Sequence, residues 1–77
     1  MTLAEGRIGK EYRITNVTKG AGFQRLFEFG FTVGASVFIR EKAPFHGAML
    51  ICVRHSYVMI DIDTAKMIAV EEVRDEA

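Results

Sequence analysis

Turn-forming residues recur about every ten residues along this chain, and that spacing limits the folds it can adopt. The turn signals are Gly6 to Gly9, Gly20 to Gly22, Gly30 with Gly34, Pro44 with Gly47, and His55-Ser56. Short apolar segments separated by turns at this interval are typical of small all-β sandwiches and barrels. With only 77 residues available, the sequence predicts an all-β fold, a small β-barrel of about five strands with one short helix.

The apolar pattern predicts where the strands lie and which side chains they bury. Tyr12 and Ile14 alternate with polar residues and are expected in the core, whereas Val17 breaks the alternation and indicates a bulge or a strand end. The segment 48–54 is apolar on both faces, as a central buried strand would be. The predicted strands are Glu11–Thr18, Ser36–Lys42, Ala48–Arg54, Tyr57–Ile62 and Ile68–Val73, and the last of them is expected to close the barrel.

One segment changes from strand to helix periodicity. Phe23, Leu26 and Phe27 stand at i, i+3 and i+4, which predicts a short helix over 22–29 with these three side chains on its buried face. Gly30 follows where a left-handed C-terminal cap is expected. Later in the chain, Asp63 is expected to cap a single helical turn over 64–67.

Several classes of protein are excluded by the sequence. The longest apolar run, residues 48–53, is six residues, far short of the roughly 20 that a membrane-spanning helix needs. The N-terminal residues lack the basic and apolar regions of a secretory signal. The single cysteine, Cys52, has no partner for an internal disulfide and fits no zinc-ribbon spacing. We therefore expect neither a disulfide-stabilised secreted miniprotein nor a membrane-spanning protein.

The charge is balanced overall but uneven along the chain. Ten basic residues match ten acidic ones. The tail 71–77 holds four acids and one base, a net of −3, which leaves 9 bases against 6 acids, a net of +3, in residues 1–70. Nucleic-acid-binding domains usually have a pI above about 9, whereas the pI here is about 6.7. We expect no nucleic-acid partner, although a small barrel that binds nucleic acid through its +3 body stays an alternative.

The sequence offers little for catalysis or metal binding. No nucleophile motif surrounds the serines, and Cys52 lies in the most apolar strand, where a thiol is usually inert. Cys52 and His55 are an odd number of residues apart, which sends strand side chains to opposite faces. Asp61 and Asp63 share a face but form only a weak site for a hard metal. We predict no catalytic residue, no cofactor and no metal site, and keep open a metal-binding regulator or chaperone that would use His46, His55, Asp61 and Asp63.

Three segments in order resemble a known family. The run R-L-F-E-F-G-F-T-V-G at 25–34 is similar to the R-L-x-x-L-G-L-x-P-G segment of the ferrous iron transport protein A (FeoA) family. Ala43-Pro44 resembles the family's A-P-x-G turn, and residues 60–70 resemble its L-R-x-x-E-A-x-x-I-x-V segment. The similarity covers Gly6 to Val73 of a single domain over 1–77 and ends within the acidic tail 71–77. Two departures are Val33, where the family has proline, and Asp61, where it usually has arginine.

The resemblance implies an SH3-like domain and a non-enzymatic role. It identifies the chain as a cytoplasmic accessory protein of a ferrous iron transport system, peripheral to the inner membrane only through its partner. That partner would be the GTP-binding domain of the membrane transporter FeoB. Because the chain has no G-x-x-x-x-G-K-[ST] motif, any GTP chemistry belongs to the partner.

Partner binding is predicted at side chains expected on loops, on the outer flank of the helix and on one strand face. Apolar side chains exposed on loops are typical of contact sites, and an arginine on a helix flank can bind a carboxylate or a phosphate. The predicted contacts are Arg25, Phe31, Phe45, His46 and Tyr57. Edge strands of such a barrel also pair with neighbours, so a homo-oligomer sealed by Phe45 or Tyr57 stays an alternative.

Overall fold

The computed structural model describes residues 1–44 and 47–74 of the chain. A short 3-10 helix, Leu3–Glu5, precedes five strands and two helices. The strands are β1 (Glu11–Val17), β2 (Ser36–Lys42), β3 (Ala48–Val53), β4 (Ser56–Asp61) and β5 (Ile68–Glu72). The helices are α1 (Phe23–Phe29), between β1 and β2, and α2 (Ile62–Ala65), between β4 and β5. The predicted strands and short helix are therefore confirmed at the level of elements, and α2 is the predicted single helical turn, which begins two residues earlier than expected.

The five strands form one antiparallel sheet in the order β4-β3-β2-β1-β5. Strands β4 and β5 are its two edges, and no pairing joins them among the residues that the structure describes. The predicted closure by the last strand is not observed, so the sheet is open rather than a closed barrel. The sheet instead wraps around a single core, and α1 and α2 lie at its margin.

Strand β1 carries the irregularity that its sequence indicates. Ile14 pairs with Val70 and Asn16 pairs with Ala69, so Thr15 is an extra residue on β1. One extra residue shifts the side-chain alternation by one position. Asn16 therefore faces solvent, and the apolar side chain that follows it is buried. This confirms the interpretation that the alternation breaks at a bulge.

The core is apolar throughout the described residues. It contains no buried polar or charged residue, and no buried side-chain nitrogen or oxygen lacks a hydrogen-bond partner. The Tyr12 hydroxyl accepts a hydrogen bond from the Arg7 backbone N–H at 2.7 Å. The buried side chains come from every strand, from both helices and from the N-terminal segment: Leu3, Tyr12, Ile14, Val17, Leu26, Phe31, Val37, Ile39, Met49, Ile51, Val53, Val58, Ile60, Ala65, Ile68 and Val70.

Three details of the predicted packing are wrong. Phe27 is 55% exposed, because only Leu26 and the half-buried Phe23 of α1 reach the core. Strand β3 buries alternate side chains and leaves the others half-buried, because no second layer covers its outer face. Helix α2 is capped by Asp61 rather than by Asp63, since the Asp61 carboxylate accepts the Thr64 backbone N–H at 2.8 Å.

The two edges of the sheet differ. At β5, Thr2 forms an antiparallel bridge with Ala69, and the Val70 N–H donates to the Met1 carbonyl at 3.0 Å. The N-terminal segment thus covers this edge. Strand β4 pairs only with β3 among the residues described, so its other side is open. No helix in the described part of the chain has the length and apolar character that crossing a bilayer requires.

Candidate functional site: a groove between α1 and β4

A concave surface lies between helix α1 and the open side of strand β4. This α1–β4 groove has a volume of about 520 Å³ and is open to solvent. Cavities that bind small ligands usually have a comparable volume, but they enclose most of the ligand. An open groove of this shape is better suited to a segment of another macromolecule. Its lining residues are Ala21, Gly22, Arg25, Leu26, Phe29, Tyr57, Val58, Met59, Ile60, Asp61 and Thr64.

Helix α1 is held in place by one buried side chain and by the turn that follows its C-terminal end. Leu26 anchors the helix in the core, and its carbonyl accepts the Phe31 N–H at 3.0 Å. Gly30 ends the helix with a φ of 103°, a left-handed conformation that glycine adopts without steric cost. The chain then turns so that Phe31 enters the core. This turn leaves Arg25 and Phe29 on the side of the helix that lines the groove.

Arg25 provides the positive charge of the groove. Its guanidinium carbon lies 5.8 Å from the centroid of the Phe29 ring, within the range of a cation–π contact. Within residues 1–44 and 47–74, the ion pairs are Lys10 with Glu72 and Arg13 with Glu71, and Arg25 takes part in neither. The contact with Phe29 keeps the guanidinium near the helix, and the contact leaves its N–H groups available to an acceptor.

Strand β4 provides the opposite wall. Tyr57 and Met59 are 62% and 64% exposed, while Val58 and Ile60 between them are buried. The strand follows a two-residue loop, Arg54-His55, in which both residues have positive φ, as in the tight hairpin turns that match the twist of paired strands. Large apolar side chains in such exposed positions are typical of contact surfaces when they lie together.

Asp61 closes one end of the groove and is already engaged. The hydrogen bonds from Thr64 hold the pKa of the Asp61 carboxyl below its ordinary value, because they stabilise the ionised form. One oxygen of its carboxylate thus caps the start of α2. Asp61 stands where the FeoA family usually has arginine, so any contact that such an arginine makes does not transfer to this chain.

The structure brings together two of the five predicted contact residues. Arg25 and Tyr57 both line the α1–β4 groove, although they are 32 positions apart in the chain. The expected exposure of Phe31 is wrong: the side chain is 1% exposed because the turn after α1 directs its ring into the core. Phe45 and His46 lie outside the described residues, and their role stays a prediction.

Phe29 and Met59 line the groove but are absent from the predicted contacts. For Met59, the signal was available, since it alternates with the core positions of β4 and must therefore face outward. For Phe29, no clear signal was available, because the side of α1 that faces the groove depends on how the helix docks. Elsewhere in the described chain, no three or more His, Cys, Asp or Glu side chains come close enough to hold a metal ion.

Comparisons with known proteins agree with the resemblance in the sequence. A family model described as the FeoA domain matches residues 1–72. No curated protein sequence matches the chain significantly.

Solved structures of similar shape include several FeoA proteins. A FeoA protein from Chlorobium tepidum matches with a TM-score of 0.88 and 23% identity, covering 99% of this chain and 74% of that one. An iron uptake regulatory protein (FeoA) matches with a TM-score of 0.83 and 25% identity, covering 94% of each chain. FeoA from Stenotrophomonas maltophilia, solved with zinc and described as a prokaryotic SH3 domain protein, matches with a TM-score of 0.79 and 26% identity, covering 92% of this chain and 89% of that one. The open sheet is therefore an SH3-like fold, and the chain belongs to the FeoA domain family.

Proposed function

We propose that this protein is a non-enzymatic accessory component of ferrous iron uptake that acts in the cytoplasm by docking on the GTP-binding domain of a FeoB-like transporter. Membership in the FeoA family supports the role in ferrous iron transport. The observation that carries the docking step is the α1–β4 groove, which is lined by one arginine and by the exposed side chains of Phe29, Tyr57 and Met59. Exposed aromatic side chains and arginine are the residue types that most often dominate binding energy at protein interfaces.

Docking alters transport only if the module binds two states of the transporter with different affinity. A ligand that binds both states equally shifts no equilibrium, however tightly it binds. The nucleotide-bound and nucleotide-free states of the GTP-binding domain are the states in question. In this mechanism the module regulates the transporter without contacting iron, and its association with the membrane is indirect, through its partner.

The test measures binding of this chain to the isolated GTP-binding domain in the nucleotide-free, GDP-bound and GTP-analogue-bound states. Tyr57→Ala removes an exposed ring from the groove, and Phe27→Ala removes an exposed ring from the same helix outside the groove. We expect state-dependent binding that Tyr57→Ala weakens by about tenfold or more, and that Phe27→Ala leaves within about twofold. Phe45→Ala, in the same series, tests the predicted loop contact.

Three outcomes separate the parts of this proposal. Binding that is the same in all three nucleotide states supports docking but removes the regulatory mechanism. Binding that Phe27→Ala weakens as much as Tyr57→Ala places the contact elsewhere on the molecule. An absence of binding in every nucleotide state contradicts the docking function itself.

A further inference from the structure

We propose that the open edge of β4 binds an extended segment of a partner protein as an additional strand, and that Arg25 selects an acidic side chain in that segment. This inference rests on the proposed function in that it takes the α1–β4 groove as the docking surface. It goes further by assigning the occupant a conformation and a charge. Adding a strand to an exposed sheet edge is a recurrent mode of peptide recognition, in which the backbone supplies affinity and the side chains supply specificity.

The register of the β3–β4 hairpin identifies the backbone groups that are available. In a hairpin with a two-residue loop, the residues that flank the loop, here Val53 and Ser56, form a hydrogen-bonded pair. Hydrogen-bonded and non-hydrogen-bonded pairs then alternate along the strands. Val58 and Ile60 therefore direct their backbone groups toward β3, and Tyr57 and Met59 direct theirs away from it.

These outward groups are unused in the described part of the chain. No backbone or side-chain hydrogen bond outside the β3–β4 ladder involves the backbone of Tyr57 or Met59. The opposite edge of the sheet shows the contrast, because there the Val70 N–H is bonded to the Met1 carbonyl. Folded proteins usually cover, charge or shorten such an edge to prevent pairing with another chain. Here the edge instead carries the exposed side chains of Tyr57 and Met59.

The charge of the groove indicates an acidic segment. Arg25 stands over Phe29 on the wall that faces β4 and has no ion-pair partner among the residues described. The one carboxylate that lines the groove, Asp61, accepts the Thr64 N–H and serves α2. A strand lying between α1 and β4 that presents a carboxylate toward α1 would complete a charge-assisted hydrogen bond with Arg25.

A second copy of this chain fits the groove less well than an acidic segment. If β4 of one copy were the added strand for another, its only acidic residue would be Asp61, which is committed to capping α2. Self-pairing would therefore offer Arg25 no carboxylate from the added strand except that of its last residue, Asp61, one oxygen of which already accepts the Thr64 N–H. The complementary occupant is a segment of a different protein, in which apolar residues flank an aspartate or a glutamate.

The test uses two synthetic peptides and NMR spectroscopy of the intact chain. The first peptide, acetyl-Thr-Val-Thr-Glu-Thr-Val-Thr-amide, presents valine and glutamate on one strand face, and the second has lysine in place of glutamate. We expect the glutamate peptide to shift the amide signals of β4 and to bind about tenfold more tightly than the lysine peptide, as a charge-assisted hydrogen bond predicts. Arg25→Glu is expected to reverse that preference.

A proline substitution isolates the backbone contribution. Met59→Pro removes an N–H that points away from β3, so the hairpin ladder keeps its bonds, and proline is tolerated on edge strands in that orientation. Met59→Ala also removes the long side chain from the groove but keeps the N–H. We expect Met59→Pro to abolish binding of both peptides, and Met59→Ala to retain it with a loss of less than about tenfold.

Several results would overturn the proposal. These are the absence of β4 shifts with either peptide, binding that Met59→Pro leaves unchanged, or equal binding of the two peptides. Shifts of the β4 signals on dilution of the protein alone would make a second copy the occupant. If the GTP-binding domain binds wild type and Met59→Pro equally, the strand inference fails while the proposed function stands. If the glutamate peptide binds β4 but the domain never does, the proposed function fails and the strand inference stands.

Discussion

Gly30 controls how helix α1 is joined to the rest of the molecule. Its φ of 103° is costly for any residue with a side chain, and a Cβ built there would lie 2.8 Å from Cδ of Arg54. The family-like segment 25–34 contains a second glycine with positive φ, Gly34, but a Cβ at that position would meet no atom within 4 Å. A comparison of alanine substitutions at the two glycines therefore distinguishes the cost of backbone strain from the cost of side-chain crowding.

We expect Gly30→Ala to lower the free energy of unfolding by more than the roughly 1–2 kcal/mol that left-handed backbone strain alone costs, because the new methyl group also displaces Arg54. Gly34→Ala is the matched control and should cost about 1–2 kcal/mol. Urea denaturation of both variants measures the difference. Equal losses would mean that the Arg54 side chain moves aside freely.

Asp61 makes stability depend on pH. Its pKa is lowered in the folded state by the hydrogen bonds from Thr64, so the folded state favours the ionised carboxylate. That contribution is complete above the ordinary pKa of an aspartate and is lost as the pH falls through the lowered folded-state pKa. We expect Asp61→Asn, which retains a capping side chain, to show a smaller loss of stability between neutral and acidic pH than wild type. Thermal unfolding across this pH range tests it, and parallel curves for the two proteins would contradict it.

At the scale of elements, strand β4 combines a buried face with an open edge. Its backbone groups alternate between the β3 ladder and solvent, as the hairpin register requires. This alternation can be tested by hydrogen exchange of the β4 amides in the protein alone, without any partner.

We expect the amide protons of Val58 and Ile60 to exchange with solvent much more slowly than those of Tyr57 and Met59, because only the former are bonded to β3. Hydrogen exchange followed residue by residue by NMR measures this. Within β5 we expect Val70, whose N–H is bonded to Met1, to be protected although it lies on an edge strand. Uniform protection along β4 would show that the register or the open edge is wrong.

The strands were predictable because they follow from the local alternation of apolar and polar side chains. Features that depend on tertiary packing, such as the buried side of a helix, were less predictable. Tyr12, Ile14, Val37 and Ile39 are buried as the period-two pattern indicates, and Val17 marks the bulge in β1. Spacing alone did not decide which side of α1 faces the core, because Leu26 and Phe27 are adjacent apolar residues. Only one side of the helix is buried, and it carries Leu26. Whether the edges meet depends on the curvature of the whole sheet, which no local pattern records.

The candidate site was predictable only in part for the same reason. Arg25 and Tyr57 were identified as exposed side chains, and the structure adds that they share one groove. Phe31 has the same local context as an exposed turn residue, yet the left-handed Gly30 turns its ring inward. Whether a side chain that follows a tight turn is exposed or buried is therefore especially hard to predict from sequence.

At the scale of the whole molecule, one core connects the N-terminal segment to every strand. Leu3 is fully buried in the same cluster as Ile51 and Ile68, although it belongs to a 3-10 helix of three residues that the strand pattern did not indicate. The N-terminal segment is therefore a part of the cooperative unit rather than an extension of it.

We expect Leu3→Ala to lower the free energy of unfolding by about 2–5 kcal/mol, the usual cost of truncating a buried leucine, and to preserve a single transition. Val33→Ala, at a side chain that is 67% exposed, should change the stability by less than about 0.5 kcal/mol. Chemical denaturation monitored by circular dichroism and by tyrosine fluorescence measures both losses and shows whether the N-terminal segment unfolds together with the sheet. Separate transitions for the two probes, or a small effect of Leu3→Ala, would show that the segment unfolds on its own.

The covered edge at β5 limits how far any strand-addition assembly can grow. A sheet with two free edges accepts a neighbour on each side, and repetition of that step produces a filament. Among the residues that the structure describes, Met1 and Thr2 occupy the outer side of β5 at Ala69 and Val70, so β4 is the edge left open to lateral pairing along its whole length. Strand addition at β4 then ends at a one-to-one complex, or at a dimer of two copies, and does not continue into a longer assembly. A concentrated solution of the protein should consequently remain free of cross-β fibres as long as the N-terminal segment stays in place.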